Sequence, residues 1–573
     1  MMQFKKVHLF LFFFVFIAIS LLEGIHFVLD LRFITFLLYC IPFILFLLDE
    51  EQEYRIPRFF AVGVGLYIVF TLVSVLFSKE IGTSLELFLR DISLFLLALY
   101  AHTHREKIEK YLPVMIVVIS MIYLFVSLFL FIYPAGQKFI QEVRLNLLFN
   151  PAYNHKTIGD YLTLGIVISL YYFFIKKIYW YKYIVVIFIP FFLLSFSRSS
   201  YIVLALTCSI GLFLFRKEFK RTPLLLLASI GLNIIFFLML CGAFVTRIQG
   251  NIFIFVQDYV QKYISIYTRP FTQSHLPFWI AGWKGFLLAP LTGIGPGTFQ
   301  DISYRFTESV FLWSNTSFNF IIDLLAEQGI LSTISFCFIL LFTFLHAKKR
   351  GLFFLLFLAL FLSFMSFATY QYIQIRLLFF ICIGLLLPEK KSYFILNKKL
   401  CIVLSLGGLL FLQLFLLHTV LINQNNPHLA YALYPFDREN LKKLIEKEYV
   451  RENNKSKLHY YLNQYERFFS VDPMDLEYLG DMYARIPEYK YQKKAISLYE
   501  ESFVWGTFSG GNIILRMKKV CDLKMQIEGK DSTRLFIKKI AHEYERILKS
   551  DPGSGFEQKK VYRELTIMYV SIR

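Results

Sequence analysis

Apolar runs of about 20 residues recur along this chain from its N-terminus to about residue 421, and each is long enough to cross a bilayer as a helix. By that length rule about thirteen spans are expected, near 7–22, 31–48, 59–77, 83–101, 112–133, 157–175, 179–196, 200–215, 223–245, 317–345, 351–369, 371–387 and 400–421. Strands alternating apolar and polar residues, as in an outer-membrane barrel, are absent from the sequence. Composition agrees: 57% of the 573 residues are hydrophobic and 19% are aromatic, with a mean hydropathy of +0.56. A soluble protein of this size needs more polar surface. The expected fold class is all-α: a polytopic helical membrane protein of about 12–13 transmembrane helices, followed by a small helical C-terminal domain.

A net charge of +19 raises the question of nucleic acid. The basic residues sit in short clusters between apolar runs rather than on one amphipathic face, which argues against a nucleic-acid partner. The clusters are Lys5 with Lys6, Arg55 with Arg58, and those within 105–110, 176–182, 216–221, 348–350 and 390–399. They occupy alternate connections, so all fall on one side, and the positive-inside rule makes that side cytoplasmic. The N-terminus is then inside and the C-terminal region outside, with membrane lipids as constant partners. Lys5 and Lys6 before an apolar stretch resemble a signal peptide. Leu21-Leu22-Glu23 replaces a small-residue cleavage site, so an uncleaved anchor is expected. The seven cysteines are scattered, with no metal-ligand spacing and no disulfide framework, and read as small buried hydrophobes.

Two outward segments exceed plain turns, 134–156 and 246–316, and long loops in compact architectures are usually functional. The membrane domain ends near 421, residues 422–435 form a linker marked by Pro427 and Pro435, and 436–573 read as short helices separated by turns. Within that region Leu476-Glu477-Tyr478-Leu479-Gly480-Asp481-Met482-Tyr483 matches the first-helix signature of a tetratricopeptide repeat. Ala495-Ile496-Ser497-Leu498-Tyr499 matches the second, at an interval about three residues too long. A plain helical cap fits the same residues. Stacks of such helices bind protein partners or extended ligands.

Several polar residues need a reason. Arg198, in Ser197-Arg198-Ser199-Ser200, lies between two spans on the outward side, against the positive-inside bias. Its guanidinium can clamp a phosphate bidentately or snorkel to lipid headgroups, and position alone leaves both open. Arg90, Asp91 and Asp160 lie inside spans, where charges face the bundle interior; a structural ion pair suits Arg90. Asp323 and Glu327, one helical turn apart, can orient a basic group or bind a cation. The long loop carries Arg269, His275, Arg305 and the cluster Gly293-Ile294-Gly295-Pro296-Gly297, whose glycines allow tight turns and close backbone approach. A single histidine in such a loop is more often structural than catalytic, but His275 is capable of proton transfer near neutral pH.

Four ordered stretches carry a resemblance to the O-antigen ligase/polymerase superfamily of bacterial membrane glycosyltransferases. They are Phe149-Asn150-Pro151-Ala152-Tyr153-Asn154-His155 leading to Gly159-Asp160-Tyr161-Leu162; Ser197-Arg198-Ser199; Trp279-Ile280-Ala281-Gly282-Trp283-Lys284 with Pro290-Leu291-Thr292-Gly293-Ile294-Gly295-Pro296-Gly297-Thr298-Phe299; and Asn319 with Leu324-Leu325-Ala326-Glu327-Gln328-Gly329. Together they cover about 149–330. The resemblance implies transfer of a glycan from undecaprenyl diphosphate to a hydroxyl on a glycan, lipid or protein acceptor, at the outer face of the bacterial cytoplasmic membrane. It implies no metal and no cofactor. Basic residues would neutralise the leaving diphosphate and a histidine would act as general base.

The chain departs from that pattern at two positions. Phe318 stands where the family has the His of a His-Asn pair, and His275 stands where it often has Arg. The expected catalytic residues are therefore Arg198 and His275. Arg269, Arg305, Asn319 and Glu327 are expected around the substrate, the last two also as structural supports. Two rival functions follow from the same residues. Arg90, Asp91 and Asp160 could line the pathway of a transporter or flippase of lipid-linked glycan. Alternatively, with the base replaced by Phe318, the chain could be a non-catalytic scaffold of a glycan-assembly complex.

Overall fold

The computed structural model describes residues 40–132, 155–216, 275–306, 314–388 and 393–571, with short gaps at 50, 52, 79, 196, 348–350, 367, 425, 451–454, 470–472, 507–512 and 551–555. The expected N-terminal anchor, most of the outward segment 134–156, the span at 223–245, Arg269 and the loop before residue 275 lie outside the described residues. In chain order the helices of the membrane part are α1 (Ile41–Leu48), α2 (Arg58–Phe77), α3 (Ile81–Thr103), α4 (Arg105–Ile132), α5 (His155–Phe174), α6 (Tyr181–Leu194), α7 (Arg198–Leu214), α8 (Leu276–Leu288), α9 (Phe299–Phe306), α10 (Phe320–Ala347), α11 (Leu352–Ser366), α12 (Ile373–Leu386) and α13 (Lys398–Asn423). The C-terminal helices are α14 (Pro427–Leu433), α15 (Arg438–Val450), α16 (Lys455–Phe469), α17 (Pro473–Ala484), α18 (Tyr489–Gly506), α19 (Ile513–Ile527), α20 (Lys530–Ser550) and α21 (Phe556–Ser571).

By length and composition, three helices among the described residues can cross a membrane: Arg58–Phe77, Arg105–Phe125 and Phe320–Ala347. Five shorter apolar helices accompany them. One of the five, α12, is buried at every position, Gln374 and Arg376 included, so it is enclosed by protein on all sides. The only sheet among the described residues pairs β1 (Glu53–Pro57) antiparallel with β2 (Tyr393–Asn397), Glu53 opposite Asn397 and Pro57 opposite Tyr393. The reading as an all-α membrane protein holds in this form.

The chain divides into two compact units. The first comprises Met1–Gly65, Arg90–Phe271 and Phe336–Leu412. Within it α5 packs on α4, α6, α7 and α11. A small residue permits the α5–α6 contact, where a Cβ at Gly165 would come within 2.5 Å of the Phe188 ring, and another permits close approach of α12 to α3, where one at Gly384 would come within 2.1 Å of the Ala98 carbonyl. Asp91 on α3 faces Arg376 at 3.9 Å, so the acid beside Arg90 has a cation opposite it on α12. Elsewhere in this unit the buried His104 lies 2.7 Å from Asp49, whose backbone carbonyl accepts from Lys398 Nζ at 2.6 Å. Arg105 donates to the Leu385 carbonyl.

The second unit comprises Leu66–Leu89, Thr272–Ser335 and Gln413–Arg573. Its C-terminal helices share one core, from Leu441 and Tyr465 through Leu479, Tyr499 and Ile537 to Leu565, with Ile81 and Phe436 packed at its edge. Helices α17 and α18 form a close pair in which Gly480 leaves room for the Tyr499 ring, 2.7 Å from where a Cβ would sit. The junction at 422–435 is itself structured, because α14 folds there and His418 reaches the Ala430 carbonyl at 2.8 Å. The cysteine reading holds for Cys40, Cys382, Cys401 and Cys521, which are buried. It needs correction for Cys208, which is half-buried on α7, and for Cys337, which is exposed on α10.

Candidate active site

The residues singled out from the sequence fall into two pieces of local structure, one in each unit. In the first unit Arg198 is the opening residue of α7, directly after Ser197, whose extended backbone (φ −84°, ψ 96°) and side chain cap the helix. The Ser197 hydroxyl accepts from the Ser200 N–H at 3.4 Å and lies 2.7 Å from the Ser200 hydroxyl. Ser200 Oγ donates to Asp160 Oδ1 and Ser363 Oγ donates to Asp160 Oδ2, both at 2.9 Å. Upstream, the Ser197 N–H reaches Ser195 Oγ at 3.4 Å, and the Tyr201 hydroxyl donates to the Leu193 carbonyl. The connection is thus tied down on both sides of Arg198. The first turn of a helix presents unsatisfied N–H groups and the positive end of the peptide dipole, which favour an anion.

In the second unit the glycine cluster and the Glu327 turn form one knot. Gly293, Gly295, Gly297 and Gly329 all have positive φ, at 66°, 120°, 79° and 74°. Gly329 breaks α10, and the Ile330 N–H turns to the Pro290 carbonyl at 2.8 Å. The Gly295 N–H donates to the Glu327 carbonyl at 2.8 Å, while Glu327 Oε1 accepts from the Phe299 N–H at 3.0 Å. Ser74 Oγ donates to the same Glu327 carbonyl, and Thr71 Oγ1 to Gln328 Oε1, each at 3.0 Å. Ser84 Oγ donates to the Pro296 carbonyl at 3.0 Å. Glu327 therefore braces the loop with both its backbone and its carboxylate.

Asn319 caps α10, its Oδ1 accepting from the N–H groups of Ile321 and Ile322 at 3.1 and 3.2 Å. Asp323 holds the preceding turn by accepting from the Thr316 hydroxyl at 2.5 Å and the Ser317 N–H at 2.7 Å. Between them Phe318 adopts φ +64°, a conformation that costs a bulky residue about 1–3 kcal/mol. Its ring lies against His275, with centroids 4.3 Å apart, and against Phe278 at 5.4 Å. His275 is half-buried at the start of α8, where its carbonyl accepts from the Phe278 and Trp279 N–H groups at 3.0 Å.

Arg305 lies on α9, which packs on α8. Its guanidinium carbon is 5.3 Å from the Phe306 ring centroid, and Lys284 Nζ reaches the same centroid at 6.0 Å, so two cations border one ring. Burial draws the Arg305 guanidinium below its ordinary value while Glu501 on α18 pulls the other way, and an arginine stays charged at physiological pH. Sequence reasoning gave no role to Lys284, Ser200, Ser363 or Arg376. Lys284 stood inside a quoted motif and could have been noticed there. The serines carry no signal until the helices are packed. Among the described residues no group of three or more His, Cys, Asp or Glu gathers to hold a metal.

Neither a curated protein nor a solved structure matches the chain. Residues 183–337 match the family model described as O-antigen ligase, so the stretch holding Arg198, His275, Arg305, Asn319 and Glu327 belongs to the O-antigen ligase/polymerase superfamily.

Proposed function

We propose that the chain is a membrane glycosyltransferase that moves a glycan from undecaprenyl diphosphate to an acceptor hydroxyl at the outer face of the bacterial cytoplasmic membrane. The O-antigen ligase match over 183–337 carries this reading. The anchored turn at Ser197 and Arg198, at a helix start suited to an anion, supports donor binding there. Arg198 engages the diphosphate and neutralises its charge as it leaves. Lys284 and Arg305, with Arg269, supply further positive charge. His275 takes the proton of the acceptor hydroxyl in place of the absent family histidine. The balance is simple: the acceptor oxygen bonds to the anomeric carbon, the bond to the diphosphate oxygen breaks, and the proton passes to the imidazole.

The membrane topology is part of the proposal. The connections read as cytoplasmic meet one another within the first unit, through the β1–β2 pairing and the His104–Asp49–Lys398 contacts. The connection at 78–82, the glycine loop and the C-terminal helices meet within the second, through Ser84 with Pro296 and Arg438 with Glu80. Mutual contact among segments assigned to one side supports the charge-based assignment. The paired α17 and α18 support a tetratricopeptide-like C-terminal domain that holds a protein partner or the glycan.

The test is transfer itself. Arg198→Ala and Arg198→Lys are expected to abolish glycan transfer at normal membrane expression, with undecaprenyl-diphosphate-linked glycan accumulating on a gel. Normal product from Arg198→Ala would remove the assignment. A second reading, a non-catalytic scaffold, is favoured by Phe318 at the family's His position. An unchanged glycan profile on gene deletion, with capture of a glycan-assembly complex by the chain, would support it.

A further inference from the structure

Asp160 is a carboxylate 4% exposed in the second turn of α5, beside the one turn that carries Arg198, and the reaction as proposed gives it nothing to do. A buried carboxylate is retained only with hydrogen-bonding partners. Here Oδ1 accepts from Ser200 and Oδ2 from Ser363 at 2.9 Å, so the group is gripped from α7 on one side and α11 on the other. From Ser200 the chain of hydroxyls continues to Ser197 at 2.7 Å and from there to Ser199 at 3.3 Å, which brings it to the residues on both sides of Arg198. Ser197 and Ser200 are completely buried, whereas Ser199 is half-buried. The preceding Gly159 makes the approach possible: a Cβ there would stand 2.7 Å from Ser200 Oγ and 3.0 Å from Ser197 Cβ.

We propose that Gly159 and Asp160 form a seat that fixes the Ser197–Arg198–Ser199 turn, with Asp160 the positioning residue for donor binding by Arg198. The inference rests on the reading of Arg198 as the diphosphate ligand. A helix start bearing an arginine has many rotations open to it; a carboxylate bonded to its first-turn serine and to a second helix selects one. Preorganising the turn in this way lowers the ordering cost of binding the donor. The carboxylate acts through Ser200 and the Ser197 cap, and it touches no substrate.

The experiment uses the full-length protein in detergent, undecaprenyl diphosphate as the binding probe, and transfer kinetics in reconstituted vesicles. Asp160→Ala is expected to weaken probe binding about tenfold or more and to raise the donor KM by a like factor, with the acceptor KM unchanged. Asp160→Asn keeps an acceptor for Ser200 and a polar partner for Ser363, and is expected to recover most of the binding. Gly159→Ala, which leaves the carboxylate in place but pushes Ser200 away, is expected to behave like Asp160→Ala. If Asp160→Ala fails to accumulate, Gly159→Ala carries the test, with Asp160→Asn as the variant that should retain binding. A folded Asp160→Ala or Gly159→Ala variant that binds the probe as the parent does would overturn the proposal, as would equal loss toward donor and acceptor. Arg198→Ala run alongside separates the two claims. If it binds the probe normally, the donor-site reading has failed. If it does not bind while Gly159→Ala and Asp160→Ala do, only the seat has failed.

Discussion

The imidazole of His275 lies on the ring of Phe318, their centroids 4.3 Å apart and their planes 31° from parallel. On the proposed reading Phe318 stands in place of the family's histidine, and the loop brings the His275 imidazole against it. The left-handed backbone of Phe318 is maintained by its N–H bond to the Thr316 hydroxyl at 3.0 Å and by the Asp323 contacts around it. Backbone strain kept by its surroundings marks a position where geometry matters more than local comfort.

If His275 is the base, His275→Ala should lower transfer about 10²- to 10⁴-fold at unchanged donor binding. Introducing Phe318→His into that background should recover part of the activity, because histidine tolerates positive φ better than most side chains and would restore the imidazole at the neighbouring position. Single-turnover transfer from a lipid-linked donor is the measurement. Full activity of His275→Ala would show that the proton goes elsewhere.

Glycine substitutions in the knot should act on folding. A Cβ at Gly295 would come within 2.1 Å of Ser78 Oγ, and one at Gly293 within 2.2 Å of the Glu327 backbone, at φ values that already disfavour a side chain. Gly295→Ala is expected to lose several kcal/mol, from backbone strain of about 1–2 kcal/mol plus overpacking of about 1–3 kcal/mol. Fluorescence-detected size exclusion should show loss of monodisperse protein. Glu327→Gln, which still presents an oxygen to the Phe299 N–H, should be far milder than Glu327→Ala.

Arg438 joins the C-terminal helices to the start of α3 by bonding Glu80 while its Nε lies 3.0 Å from Asp475, a carboxylate only 1% exposed. Arg438→Ala should destabilise this unit by about 2–3 kcal/mol, at the lower end for a broken buried pair because Lys442 also reaches Asp475 at 3.3 Å and Arg438 is itself 30% exposed. Limited proteolysis should then release the C-terminal region earlier in a temperature series. An unchanged cleavage temperature would mean the contact is dispensable.

Cys521 offers a probe of the C-terminal core. Burial pushes its thiol up to about 12, and it packs with Met517, Val520 and Ile537. At neutral pH it should label with maleimide at a small fraction of the rate of a free thiol until the domain unfolds, since only the thiolate reacts. Rapid labelling in the folded protein would contradict the packing.

Run length determined the class of this protein, because the bilayer imposes it on any chain that crosses it as helices. The helical character of the C-terminal region was legible from its apolar spacing, and there Gly480 and Tyr499 meet in the α17–α18 contact. The stretch that matches the O-antigen ligase family was legible as a set of residue types in order. What each does was decided by packing. Glu327 became a brace because Gly329 breaks α10 and turns the preceding residues onto the glycine loop. Asp160 became the neighbour of the arginine turn because Gly159 lets α7 approach α5 and Ser363 arrives from α11. Hydroxyls and glycines carry almost no individual signal along a sequence, and their meaning comes from partners that only the folded chain supplies.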